Sequence, residues 1–125
     1  MIYGIGVDSC SISRIKEKIQ KEHFVQRVFG EEERSLFAGK GKHIAETAAG
    51  NFAAKEAFLK AVGTGLGGFA LAELQAIRKE SGAPQYLFSG KAEQFIQEKG
   101  LTVHLSITHE GDIATAFCIL EYREQ

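Results

Sequence analysis

One segment restricts the possible folds more than any other. It is an alanine-rich stretch from about Ile44 to Val62 with helical periodicity throughout. Gly63 follows it directly, and glycine is the residue type that most often ends a helix. We therefore expect this segment to be the longest helix of the chain.

The remaining segments show shorter strand and helix patterns. Residues 2–8 alternate as a strand does, and Ser9, Ser11 and Ser13 offer N-caps for a helical pattern that continues to Gly30. Further helices are predicted at 31–39 and 91–99, and strands at 74–79, 85–89, 102–108 and 113–122, with turns at 81–84 and 109–112. The pattern predicts one α+β domain over residues 1–125, with a mainly antiparallel sheet and helices concentrated in the first half.

Composition excludes several classes of protein. With 125 residues, 44% of them hydrophobic and 25% charged, the chain fits one soluble globular domain. No apolar run is long enough to cross a bilayer, and Asp8 comes too early for a signal peptide, so we expect a cytoplasmic protein with no membrane partner. Cys10 and Cys118 are expected to be free thiols. A net charge of -1 argues against a nucleic-acid partner.

Basic residues are concentrated between Cys10 and Arg27, where the net charge is +3 without His23. Charge alone favours a solvated helix surface, and the alternative is a docking face for an acidic partner. The basic residues are Arg14, Lys16, Lys18, Lys21 and Arg27.

Glu56 is the most informative single residue. It falls on the same face of the long helix as Ala49 and Phe52, where a carboxylate is rarely left unpaired. A salt bridge to Lys60, four residues later, is the structural explanation. The functional explanation is a catalytic or metal-binding carboxylate.

Asp8 ends the first predicted strand on the same face as Gly4 and Gly6. Alone, it is best explained as a helix N-cap. Together with Glu56 it offers two oxygen ligands, which suit Mg²⁺ because this ion takes one or two carboxylates plus phosphates and water. Zinc, which prefers His and Cys, fits poorly.

Lysines and glycines surround Glu56. Lys55 and Lys60 flank it, and Gly63, Thr64 and Gly65 follow the helix instead of opening one, so neither dinucleotide-binding nor P-loop spacing is present. A phosphate here would depend on lysine charge and a metal, and the alternative is a plain C-cap and loop.

The strand near the C-terminus has one polar face. Period two places His104, Ser106 and Thr108 together, which usually marks the solvent side of a sheet and is not a catalytic-triad pattern.

Three segments together resemble bacterial holo-acyl-carrier-protein synthases, the short single-domain phosphopantetheinyl transferases. The first segment is Gly-Ile-Gly-Val-Asp8 with Arg14. The second, which is the most specific, is Phe52-Ala-Ala-Lys-Glu56-Ala-Phe-Leu-Lys60-Ala-Val-Gly-Thr-Gly65. The third is His104-Leu-Ser-Ile-Thr-His109.

The resemblance implies a fold of pseudo-repeated α/β halves and a homotrimer with active sites between subunits. It implies that Asp8 and Glu56 hold Mg²⁺, which also binds the coenzyme A pyrophosphate. It assigns coenzyme-binding roles to Lys55, Lys60, Gly63, Thr64, Gly65, His104, Ser106 and Thr108. It assigns contacts with the acidic acyl carrier protein to Arg14, Lys18, Lys21 and Arg27.

The implied reaction is attack by a carrier serine on the β-phosphorus of coenzyme A, with 3′,5′-ADP leaving. The catalytic residues would be Asp8, Glu56 and Lys60, with Lys60 stabilising charge on the leaving group. Either Glu56 or a metal-bound water would accept the serine proton.

Two positions depart from the family pattern. Asn51 stands where an arginine is common, and Ala83 where a lysine is common. The first change either weakens coenzyme A binding or is compensated by Lys40 and Lys42. The competing hypotheses are a trimeric binding module without catalysis and a Mg²⁺-dependent phosphohydrolase acting on nucleotides.

Overall fold

A computed structural model describes residues 1–63 and 68–124. Single 3₁₀ turns at Gly41–His43 and Leu71–Glu73 precede the long helix and the second strand. No helix in these two ranges is both long and apolar enough to span a membrane. The elements in chain order are β1 (Ile2–Ser11), α1 (Ile12–Lys18), α2 (Glu22–Val28), α3 (Glu31–Ala38), α4 (Ile44–Val62), β2 (Leu74–Arg78), β3 (Pro84–Phe88), α5 (Gly90–Lys99), β4 (Leu101–Glu110) and β5 (Ile113–Tyr122).

The strands form two antiparallel sheets, as the sequence predicts for an α+β domain. One sheet has the order β1-β5-β4, and β2 pairs with β3 in the other. On the central strand β5, alternate residues are buried and contact the core under α4: Ala114, Ala116, Cys118 and Leu120. The opposite face of this sheet, which carries Ile5, Val7 and Phe117, is largely exposed.

The predicted bounds of α4 are confirmed at both ends. Gly63 caps the helix with φ of 89° and donates its N–H to the carbonyl of Leu59. This left-handed conformation is open to glycine and costly for other residues, so the helix ends where the sequence indicated.

The glycines of β1 allow α4 to lie directly on the strand. A Cβ atom on Gly6 would overlap with the carbonyl oxygen of Ala57, and one on Gly4 with that of Ala61. Backbone therefore packs on backbone with no side chain between them. The next residue on the same face of β1 is Asp8, which is thus brought beside the last turns of α4.

One helix prediction is wrong. The helical pattern expected to continue to Gly30 forms two separate helices, α1 and α2. α1 ends at Lys18, and extended backbone at Lys21 starts α2 in a new direction. Because the helix breaks between α1 and α2, Val28 and Phe29 are buried in a second core cluster with Ile15. Tertiary packing thus outweighs the local helical pattern. The basic residues are consequently divided between α1 and α2.

Several strand ends also differ from the predictions. β1 continues past Asp8 to Ser11, whose hydroxyl caps α1 by accepting from the N–H of Arg14, so Asp8 is not a helix cap. β4 continues to Glu110, which shortens the hairpin turn to residues 111–112. An irregularity between Ile2 and Gly4 interrupts the alternation expected over residues 2–8, and Tyr3 contacts Phe95 and packs against the core.

A completely buried ion pair joins α3 to α4. The ammonium of Lys55 lies 2.6 Å from Oε1 of Glu33, and neither side chain is exposed. The same nitrogen donates to the carbonyl oxygens of Leu71 at 2.9 Å and Leu74 at 3.1 Å, so each of its three protons has an acceptor. Burial lowers the pKa of Lys55, and the Glu33 carboxylate opposes that shift.

The other end of this network reaches β2. Glu33 also accepts from the backbone N–H groups of Gly30 and Ala76 and from the amide of Asn51, between 2.9 and 3.1 Å. Every buried side-chain nitrogen and oxygen in the described ranges has a hydrogen-bond partner. A satisfied network of this kind sets the position of α3 against both α4 and β2.

We predict that Lys55→Met lowers the free energy of unfolding by about 3–5 kcal/mol, because it leaves the Glu33 carboxylate buried without a counter-charge. Urea unfolding at neutral pH measures the loss. Lys60→Met, five residues further along α4 but exposed, is the matched control and should cost no more than about 1 kcal/mol. Similar losses in the two variants would contradict the importance of the network.

Candidate active site

Asp8 and Lys60 form an ion pair where β1 meets α4. The ammonium of Lys60 lies 2.9 Å from Oδ1 of Asp8 and 3.1 Å from the carbonyl oxygen of Val7. The side chain of Asp8 is 20% exposed and that of Lys60 is 58% exposed, so the pair lies at the surface with the carboxylate as its inner member.

Glu56 lies one turn before Lys60 on α4, but the salt bridge expected between them is not formed. In the described ranges no hydrogen bond or ion pair involves the Glu56 carboxylate, since Lys60 is engaged with Asp8. Partial burial and the negative charge of Asp8 raise the pKa of Glu56, while Lys60 opposes the shift. Two neighbouring carboxylates thus share a single lysine, an arrangement that favours an added cation.

The chemistry of these donors fits Mg²⁺. Both ligands are carboxylate oxygens, both are partly buried, and their mutual repulsion would be relieved by a divalent ion. No group of three or more His, Cys, Asp or Glu residues suited to a metal occurs in the part of the chain that is described. Mg²⁺ tolerates this because water and substrate phosphates complete its coordination.

A groove of about 370 Å³ opens beside Asp8 and Glu56, the candidate metal pair. It is lined by Arg14 and Lys18 of α1, by Cys10 of β1 and by Phe52 of α4. Arg14 and Lys18 are exposed, so the groove has a positive rim. Lys21 and Arg27 are exposed as well, but they belong to α2 and its cap and do not line the groove.

Cys10 is not set up as a nucleophile. Burial, and then the charge of Asp8, raise its pKa to about 11, and its thiol donates to the carbonyl of Ala49 at 3.1 Å. Cys118 is buried, with a pKa raised to about 12. Both cysteines are free, as the sequence predicts.

Lys55 does not lie where the resemblance implies. Its ammonium points into the core and is saturated by Glu33 and two carbonyl groups, as described above. A phosphate reaching it would have to displace those acceptors. Sequence analysis missed Glu33 as its partner, because an acidic first helical turn normally faces solvent.

His104, Ser106 and Thr108 lie on the other side of the sheet from Asp8. They are exposed on β4, and His104 contacts the carboxylate of Glu121 at 2.9 Å. Within one chain they therefore do not join Asp8 and Glu56. Gly63 lies at the end of α4, and Thr64 and Gly65 lie outside the described residues.

The two departures from the family pattern have structural consequences. Asn51 is fully buried, and its amide oxygen accepts from Nη2 of Arg78 at 2.9 Å. Arg78 lines a cavity of about 270 Å³ with His43 and His109, so a guanidinium is present near position 51 although it comes from β2. Sequence analysis missed it. Ala83 is exposed in the β2–β3 turn.

The repulsion between Asp8 and Glu56 predicts how stability responds to Glu56→Gln in metal-free buffer. A raised pKa means that ionising Glu56 costs stability, so the variant should be more stable than wild type near pH 7. The difference should shrink as the pH falls through the raised pKa of Glu56 and vanish below its ordinary value of 4.5, where this carboxyl is protonated in both the folded and the unfolded state. Urea unfolding at several pH values, with the exposed Glu93→Gln as control, measures this. A variant that is less stable than wild type at pH 7 would show a pairing role for Glu56.

Comparison with known proteins identifies the family of the chain. A family model described as the 4′-phosphopantetheinyl transferase superfamily matches residues 4–118. The chain is 43% identical over 125 residues to the holo-[acyl-carrier-protein] synthase of Geotalea daltonii, covering 97% of this chain and 99% of that protein. It is 41% identical over 122 residues to that of Clostridium beijerinckii, covering 97% and 98%.

Solved structures show the same fold. The holo-[acyl-carrier-protein] synthase from Neisseria meningitidis has a TM-score of 0.88 at 36% identity, covering 97% of this chain and 99% of that one. The synthase from Bacillus anthracis str. Ames, crystallised in complex with coenzyme A (3′,5′-ADP), has a TM-score of 0.83 at 36% identity, covering 98% and 99%. The family indicated by the three motifs is thereby confirmed: the chain belongs to the 4′-phosphopantetheinyl transferase superfamily.

Proposed function

We propose that the protein transfers the 4′-phosphopantetheine group of coenzyme A to a serine of apo acyl carrier protein in the cytoplasm, in support of fatty acid biosynthesis. The products are the holo carrier protein and 3′,5′-ADP, and the reaction depends on Mg²⁺. The observation that carries the proposal is the carboxylate pair of Asp8 and Glu56 beside Lys60, in a chain of this family.

Asp8, Glu56 and Lys60 divide the chemistry in this proposal. Asp8 and Glu56 hold Mg²⁺, which when bound neutralises the pyrophosphate of coenzyme A and makes its phosphorus easier to attack. Lys60 is exposed enough to turn from Asp8 towards phosphate and stabilise charge on the departing 3′,5′-ADP. Glu56 is the chain's own acceptor for the serine proton, because it is the carboxylate that Lys60 does not engage.

The groove beside the pair supports docking of the carrier protein. Arg14 and Lys18 give it a positive rim, which complements an acidic recognition helix. Arg14 is the better candidate for a direct contact because its planar guanidinium can bind a carboxylate through two hydrogen bonds. Lys21 and Arg27 contribute to the attraction from a greater distance.

The outer face of the β1-β5-β4 sheet supports a homotrimer. Its exposed side chains include Ile5 (60%), Val7 (52%) and Phe117 (41%), a row of apolar groups that a monomer rarely leaves uncovered. His104 and Ser106 lie on the same face. In an assembly that buries this face, they would meet the metal pair of a neighbouring subunit and complete the coenzyme site between subunits.

One experiment separates the proposed function from its alternatives. The protein is incubated with apo carrier protein, coenzyme A and Mg²⁺, and the carrier is weighed by mass spectrometry. Transfer adds one phosphopantetheinyl group to the carrier and requires Mg²⁺. A binding module leaves both substrates unchanged, and a phosphohydrolase consumes coenzyme A without modifying the carrier.

For the metal pair, we predict that Asp8→Ala and Glu56→Gln each reduce kcat/KM by about a hundredfold or more, because each removes a ligand of the ion that neutralises the pyrophosphate. Circular dichroism should show an intact fold in both. Glu93→Gln on the exposed side of α5 is the control for a lost charge. Turnover like that of wild type in Glu56→Gln would remove Glu56 from the mechanism.

For the assembly, we predict that wild type sediments as a trimer and that Ile5→Asp sediments as a smaller species with lower transfer activity, because a charge would be buried at the interface. Leu87→Asp on β3 is the control, since Leu87 is also an exposed apolar residue but lies outside this sheet. Monomeric wild-type protein with full activity would contradict a site shared between subunits.

For the partner, we predict that Arg14→Glu raises KM for the carrier protein about tenfold at low salt and leaves KM for coenzyme A nearly unchanged. The effect should shrink at high salt, because exposed charges are screened over about 8–10 Å at moderate ionic strength. Steady-state kinetics at two salt concentrations measures both constants, with Lys91→Glu as control. Equal carrier KM values for wild type and Arg14→Glu at low salt would place docking elsewhere.

A further inference from the structure

One cavity of the described chain takes no part in the proposed site. It is a cleft of about 590 Å³ between α1, α2, α3 and the start of α4. Asp8, Glu56 and Lys60 do not line it. Its volume lies within the range typical of small-molecule sites, so it can hold a ligand of its own.

The floor of this cleft is apolar. Ile19, Val25 and Ile44 line it and are only partly buried, and Phe37 lies deeper at 7% exposure. These side chains cover the second core cluster, which includes Val28 and Phe29. An aliphatic chain seated here would remove apolar surface from water on both sides of the contact.

The rim of the cleft is positive. Lys16, Arg34 and Lys42 line it and are exposed, and no carboxylate is among its lining residues. None of the three is in an ion pair with another residue of the described ranges. Nη1 of Arg34 donates to the carbonyl of Phe29 at 2.6 Å, which holds the guanidinium at the edge with its other N–H groups free for an anion.

An apolar floor under three unpaired cations is complementary to a molecule with one anionic head and one aliphatic tail. We propose that this cleft binds an anionic amphiphile: a fatty carboxylate with a chain of about ten carbons. The carboxylate contacts Arg34 and the two lysines, and the chain lies over Ile19, Val25 and Phe37. This inference does not rest on the proposed function, because it uses neither the metal pair nor the groove of Arg14.

The two surfaces lie on different sides of α1. Lys16 is two residues from both Arg14 and Lys18, which on a helix places it on roughly the opposite face. A ligand in the cleft therefore leaves the proposed docking groove open. It would act on that groove only by stabilising the position of α1.

The experiment is isothermal titration calorimetry of the full-length protein with decanoate, below its micelle concentration and without coenzyme A. We expect saturable binding of one decanoate per chain and an affinity that rises by about fourfold for each methylene from octanoate to decanoate. Decanol, which keeps the chain and lacks the charge, should bind at least tenfold more weakly. Lys16→Glu/Lys42→Glu should also weaken decanoate binding at least tenfold, with its fold checked by circular dichroism.

The control for charge is Lys79→Glu/Lys91→Glu, which makes the same change at exposed positions outside the cleft and should bind decanoate as wild type does. Equal binding of decanol and decanoate, or equal binding by both double variants, would overturn the proposal, since the fatty acid would then be held at other apolar surface such as Ile5 and Phe117. Absence of decanoate binding, with loss of carrier-protein binding in Lys16→Glu/Lys42→Glu, would overturn it and assign the cleft to a protein partner.

Discussion

The close contact between β1 and α4 is the constraint on which the site depends. Gly4 and Gly6 leave no side chain between the strand and the carbonyl groups of the helix, so the two elements approach as closely as their backbones allow. This contact brings Asp8 within 2.9 Å of Lys60 and places it near Glu56. The proposed metal site of two carboxylates would need such precision, because neither carboxylate could compensate for a displaced partner.

The buried network of Glu33 and Lys55 supports this contact from the other side of α4. It connects α3, α4 and β2 through a carboxylate that accepts four hydrogen bonds. The two lysines of the central motif, Lys55 and Lys60, thus have different roles although they lie within six residues of the same helix. Lys55 is internal and structural, whereas Lys60 is exposed and able to contact a phosphate. Five residues of α4 separate the buried ammonium of Lys55 from the solvated ammonium of Lys60, because they lie on different faces of the helix.

The two faces of the β1-β5-β4 sheet divide the remaining tasks. The inner face packs on α4 and carries Asp8, and the outer face carries His104 and Ser106 among exposed apolar side chains. No single chain can bring both faces to one ligand. The proposed trimer resolves this geometry, because the outer face of one subunit can lie beside the inner site of another.

Local features were predictable from the amino-acid sequence alone. The bounds of α4, its cap at Gly63 and the existence of the strands follow from periodicity and capping, which act over a few residues. Only the tertiary structure decided that Lys55 is internal, that α1 and α2 are separate helices, and that Arg78 meets Asn51. Those outcomes depend on which distant elements share a core, and burial there outweighs the local preference of any one residue.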